Sequence, residues 1–107
     1  MRVLLDENLP QKLRSLLTGH VVTTTAYQGW AGWANGALIE AAEAAAFEVL
    51  LTSDQNLSYQ QNMKDRKLAL VVLSTNKWDV LVANLPKLIA ALDAAEPGSY
   101  ASVQIGH

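Results

Sequence analysis

Two carboxylates in this chain stand where carboxylates do chemistry. Asp6 closes the apolar run Arg2–Leu5, and Asp54 closes the run Phe47–Thr52. In open parallel α/β sheets, ligands bind beyond the C-terminal ends of the strands. A third run, Leu68–Leu73, ends at the same kind of edge in Ser74-Thr75-Asn76. The chain has no cysteine, and His20 and His107 are its only imidazoles. Thiolate sites and histidine-rich zinc sites are therefore excluded. Paired carboxylates without such ligands suit a hard cation, Mg²⁺ or Mn²⁺. Such an ion orients a phosphate and activates water for in-line attack.

Each candidate also has a plainer reading. An Asp after a strand often only caps the next helix. The coincidence of Asp6 and Asp54 at one edge favours a site, with both as metal ligands. Glu7 is a candidate helper, or it faces solvent or pairs with Arg2 or Lys12. Glu40, about one turn beyond Asn35, points either toward the edge or into solvent, and Glu43 is expected on the solvated face. Asn35 is expected to cap its helix, with metal coordination as the other option. Asn8 and Asn56 follow the two acids at equal offset, in Asp-x-Asn. Each orients its acid from behind or stabilises a turn. Thr52 belongs to the same outer group.

The elements that must position these residues follow from periodicity. Arg2–Leu5 is a continuous apolar run, as in a parallel strand buried on both faces. Leu9, Leu13, Leu16 and Leu17 recur at helical spacing after Pro10, and Gly19 suits the stop. His20–Thr25 is rich in β-branched residues and reads as a second strand. Tyr27–Gly36 reads as a loop carrying Tyr27, Trp30 and Trp33. These rings could stack on unpaired bases, although a partner-protein surface is the commoner use of such a loop. A helix over Ala37–Ala46, a third strand over Phe47–Thr52 and a short helix or turn at 55–63 come next. Lys64, Arg66 and Lys67 form a basic cluster, able to contact phosphate but more commonly a solvated turn. A fourth strand follows at Leu68–Leu73. Asn76 is expected to cap a helix from Trp78 that Pro86 breaks or restarts. Pro97-Gly98 is a turn, and Tyr100–Ile105 is a last edge strand. This alternation predicts an α/β domain with a mostly parallel sheet of four to five strands, covered by helices on both faces.

The 107 residues fit one domain. Half are hydrophobic and 17% are charged, which argues for a compact fold and against disorder. The low charge leaves room for a partner protein or a homodimer interface. A net charge of −2 argues against a generic nucleic-acid binder, yet allows one local patch that touches RNA. No signal peptide and no membrane-spanning run is read, so the cytoplasm is the expected location.

Three segments carry a family resemblance. LLDENLP after the first strand, FEVLLTSDQNLSYQQN at Phe47–Asn62 and LALVVLSTNKW at Leu68–Trp78 resemble the PIN-like domain family related to VapC-type toxin ribonucleases. The resemblance implies a PIN-like Rossmannoid three-layer α/β/α domain. It also implies divalent-metal nuclease ancestry, usually acting on RNA, and often a toxin role beside a small antitoxin. By position, Asp6 matches the first-strand metal ligand and Asp54 the acid of the Thr-x-Asp motif. Asn35 and Asn56 stand where many relatives carry acids, with Glu40 the nearest replacement.

Three functions therefore compete. The first is a Mg²⁺- or Mn²⁺-dependent ribonuclease using Asp6 and Asp54 with Glu7 or Glu40. The second is a non-catalytic module that binds a protein through the Tyr27–Trp33 loop. The third is a receiver-like phosphoacceptor. That one is disfavoured by the short stretch from Asp54 to Ser74 and by the lack of a later strand ending in Lys.

Overall fold

The computed structural model describes residues 1–55, 63 and 65–106. Five strands form one all-parallel sheet: β1 (Arg2–Leu5), β2 (Val21–Thr24), β3 (Val49–Thr52), β4 (Ala69–Leu73) and β5 (Tyr100–Val103), in the order β2-β1-β3-β4-β5. The central runs are apolar throughout because both faces are covered. Val3, Leu5, Val49, Leu51, Val71 and Leu73 feed one core cluster. Leu4, Leu50, Leu70 and Val72 feed the other. The chain is thus a small, doubly wound, Rossmann-like α/β domain, in line with the expected fold class.

Among the described residues, four α-helices and one 3₁₀ helix lie between the strands: α1 (Thr25–Gln28), α2 (Asn35–Ala44), α3 (Trp78–Ala83) and α4 (Leu85–Asp93), with the 3₁₀ helix at Gln11–Ser15. Leu38, Ile39 and Ala42 of α2 cover one face of the sheet. Leu13 of the 3₁₀ helix, Leu81 of α3, and Leu88 and Leu92 of α4 cover the other. Among the described residues, no helix is long and apolar enough to cross a membrane.

Several boundaries differ from expectation, each for a local reason. The helix expected after Pro10 is a 3₁₀ segment, although Leu9, Leu13 and Leu17 form the predicted buried stripe. A 3₁₀ segment rises about 2 Å per residue against about 1.5 Å for an α-helix, so it spans more of the return to β2 with fewer residues. Strand β2 stops at Thr24 because the Thr24 hydroxyl accepts the Tyr27 N–H at 3.1 Å and starts α1. Thr25, Tyr27 and Gln28 are therefore helical, and the loop shrinks to Gly29–Ala34. Helix α2 begins at Asn35, with Ala34 in the cap position, so Asn35 is not the N-cap. Lys77 rather than Asn76 occupies the N-cap position of α3, with no side-chain capping bond. Pro86 restarts the last helical stretch, lying in the first turn of α4.

Glu43 is not merely solvated. It accepts the backbone N–H of Lys67 at 2.8 Å and of Leu68 at 3.4 Å, and its other oxygen lies 3.5 Å from Arg66 Nη1. One member of the expected basic cluster is thus tied to α2. Arg2 is likewise engaged at the N-terminal end of the sheet. Its guanidinium donates to Ala45 O at 2.6 Å and lies 4.6 Å from the centre of the Phe47 ring.

Helix α2 ends in a left-handed turn at Ala46, φ +65°. Phe47 N–H bonds Ala42 O, and Ala46 N–H bonds Glu43 O. This is a Schellman closure, for which glycine is the unstrained residue. Ala46→Gly is expected to stabilise the fold by about 1 kcal/mol, because an L-residue pays that order of penalty in the left-handed region. Urea or thermal melts check it.

Candidate functional site

The strand order reverses between β1 and β3, because β1 is followed on one side by β2 and bordered on the other by β3. A reversal of this kind opens a crevice at the C-terminal edge, where ligands bind in doubly wound sheets. The two predicted carboxylates follow these two strands. Leu5 pairs with Leu51, and Asp6 N–H extends the ladder to Leu51 O at 2.9 Å. Asp6 therefore stands beside Thr52. The pleat carries both toward the face of Leu4 and Leu50, the face covered by α2.

Thr52 is the hub of the site. Its hydroxyl, 0% exposed, donates to Asp6 Oδ2 at 2.8 Å. It accepts the Asp54 N–H at 3.0 Å and the Asn8 Nδ2–H at 3.2 Å. A hydroxyl has one proton and two lone pairs, so all of its capacity is used. Asn8 turns its carbonyl oxygen to the Ser53 N–H at 3.3 Å. Its backbone carbonyl accepts from Asn76 Nδ2 at 3.1 Å. The ends of β1, β3 and β4 are thereby tied together.

Asp6 is 8% exposed. Burial raises its carboxyl above the ordinary value. The bonds from Thr52 and the Glu7 N–H pull the other way, and the charges of Glu7 and Asp54 add to the rise. The Asp54 carboxylate thus lies near enough to act on Asp6. Among the described residues, no lysine or arginine forms an ion pair with Asp6.

The other predicted residues separate. Glu7 pairs with neither Arg2 nor Lys12. Its Oε1 accepts the Gly32 N–H at 2.8 Å, because Gly32 at φ +81° turns that amide toward the edge. Glu40 is exposed on α2 and takes no part in the network around Thr52. Asn8 acts on Asp6 only through Thr52. Asn35 contributes its backbone to the start of α2, and Asn56 lies outside the described residues. Sequence reasoning missed two contributors. Asn76 ties the β4 loop to Asn8, and Gln55 donates to Leu73 O at 2.6 Å and to Ser53 O at 3.0 Å. The clustering of amides after each strand end was the one available signal for them.

Thr52→Val should cost about 1–3 kcal/mol, the usual consequence of stranding buried polar partners, while Thr52→Ser should retain most of the stability; denaturant titration checks both. The sign for Asp6 follows from its raised value. An acid raised by folding costs nothing below its unfolded pKa and costs fully above its folded pKa. The stability difference between wild type and Asp6→Asn should therefore move in the variant's favour as the pH rises through and above the ordinary aspartate range in metal-free buffer. A difference independent of pH would show that Asp6 is not penalised by folding. No protein-family model, no curated protein and no solved structure matches the chain.

Proposed function

We propose that the Asp6–Asp54 edge binds Mg²⁺ or Mn²⁺ and hydrolyses phosphodiester bonds in RNA. One observation carries this reading. A buried carboxylate sits at the reversal point of the sheet, under the like charge of Asp54, and among the described residues no lysine or arginine is paired to it. Burial of an unpaired charge is costly unless something offsets it. A divalent ion would do so.

The donor set fits that ion. Mg²⁺ typically takes one or two carboxylates, keeps several waters and binds substrate phosphate. Asp6 and Asp54 would hold it, and the bound ion would supply Lewis-acid polarisation of the phosphate. The chain's own residues do the positioning. Thr52 fixes the Asp6 carboxylate, Asn8 fixes Thr52 and the Ser53 amide, and Asn76 locks the β4 loop against β1. Glu7 and Glu40 are not needed as ligands. On the opposite face of the sheet, the 3₁₀ helix and α3 that follow β1 and β4 line an open cleft of about 510 Å³ with Lys12, Arg14 and Trp78, a cationic surface suited to an anionic polymer. The PIN-like motifs extend the reading to a toxin ribonuclease restrained by a small antitoxin-like protein.

A second reading, a partner-binding module without catalysis, is favoured by one observation. Among the described residues, no group of three or more acids or histidines is placed to hold a metal.

Melting with and without Mn²⁺ separates the two. The nuclease reading expects Mn²⁺ to raise the melting temperature of the wild type but not of Asp6→Asn. A hundredfold excess over Kd corresponds to about 2.7 kcal/mol. It also expects Mn²⁺-dependent cleavage of single-stranded RNA that Asp6→Asn and Asp54→Asn abolish. Absence of both effects leaves the binding module.

A further inference from the structure

We propose that the outer face of Trp33 stacks an unpaired base of the strand whose phosphodiester lies at Asp6, with Glu7 as the residue that positions this platform. The proposal rests on the nuclease reading and names its substrate as single-stranded RNA.

The loop Gly29–Ala34 is built rather than slack. Trp30 is half-buried and meets Phe47 edge-on, with centroids 6.1 Å apart at 75°. Trp33 stacks on Trp30 at 5.6 Å and 28°. Trp30 N–H bonds Thr25 O at 2.9 Å, and Trp33 N–H bonds Trp30 O at 3.1 Å. Between the two tryptophans, Gly32 N–H is held by the Glu7 carboxylate. Trp33 thus uses one face against an anchored ring and remains 45% exposed.

The location selects the occupant. Glu7 follows Asp6 directly, and its own N–H binds Asp6 Oδ1 at 2.8 Å. The platform is therefore tethered to the carboxylate edge through a single residue. It also belongs to the α2 face, toward which Asp6 points. Among the described residues, the large apolar side chains exposed around this loop are rings, Tyr27 at 80% and Trp33. Val21 lies at the far end of β2 and Val82 on α3, against the opposite face. A protein interface would mix aliphatic side chains with the rings at this spot. Isolated rings beside a phosphate-directed edge suit bases, since every base presents a π-face and needs no specific hydrogen bonds. A paired base inside a duplex offers no free face, so the site selects unpaired strands.

The test uses the full chain carrying Asp6→Asn, so that binding is read without cleavage. Fluorescence anisotropy follows a labelled oligouridine of about ten nucleotides, within the span of known single-strand sites. The added Trp33→Ala change should weaken binding about tenfold or more, as loss of one stacked base does elsewhere, with an unchanged melting temperature. Trp33→Phe should restore most of the affinity. Glu7→Ala should weaken binding and alter tryptophan fluorescence, whereas Glu7→Gln, which still accepts the Gly32 N–H, should not. A duplex of the same length should compete poorly. Equal binding by Trp33→Ala, equal binding of duplex, or a Trp33-dependent self-association that excludes RNA would each overturn the proposal. If the wild-type chain does not cleave the oligonucleotide with Mn²⁺ but the Trp33 dependence holds, the nuclease reading fails and the strand site stands.

Discussion

The geometry of the edge depends on one hydroxyl group. Thr52 Oγ1 joins Asp6, Asp54 and Asn8 in a single buried junction, and no capacity is left over. Because the Thr52 backbone belongs to β3 and Asp6 extends β1, the junction also fixes the mutual register of the two strands at the point where the sheet reverses. A methyl in place of that oxygen would unsettle two strand ends at once. A serine would not, since the oxygen rather than the branched methyl makes the connections.

Holding Asp6 this way carries a cost. The site concentrates negative charge in a partly dehydrated corner, and the hydrogen bonds that lower the Asp6 carboxyl come from the Thr52 hydroxyl and the Glu7 backbone N–H. Folding energy from the two apolar cores offsets that local penalty. Such stored strain is common where a protein is shaped for a ligand rather than for its own stability. The placement of cations fits the same picture. Arg2 and Arg66 serve structural carbonyl and carboxylate partners on the α2 side, while Lys12 and Arg14 line a cleft on the opposite face.

Much of the fold was legible because the central strands are buried on both faces. Val3-Leu4-Leu5, Val49-Leu50-Leu51 and Ala69–Leu73 carry an unbroken apolar signal, and the acids that terminate two of them mark the edge. What was not legible depends on contacts across the fold. Nothing local says that Glu43 would reach the amides of Lys67 and Leu68, or that Glu7 would turn to Gly32. The helix after Pro10 has the right leucine spacing, yet spacing alone does not separate an α-helix from a 3₁₀ segment stretched to meet β2. Thr24 and Asn35 show the limit of capping rules. A threonine within a β-branched run started a helix, while an asparagine suited to capping fell one place inside.

The all-parallel sheet has a kinetic meaning as well. Each strand pair requires a crossover, and the Asp6–Thr52 bond closes across 46 residues. Contacts this distant form only after loop-closure entropy has been overcome, so the chain should fold slowly for its size. During synthesis β1 and β2 emerge well before β3, and Asp6 remains hydrated until β3 docks. The dehydration of that carboxylate therefore falls on the docking step. The most buried carboxylate of the edge is also among the last to leave water.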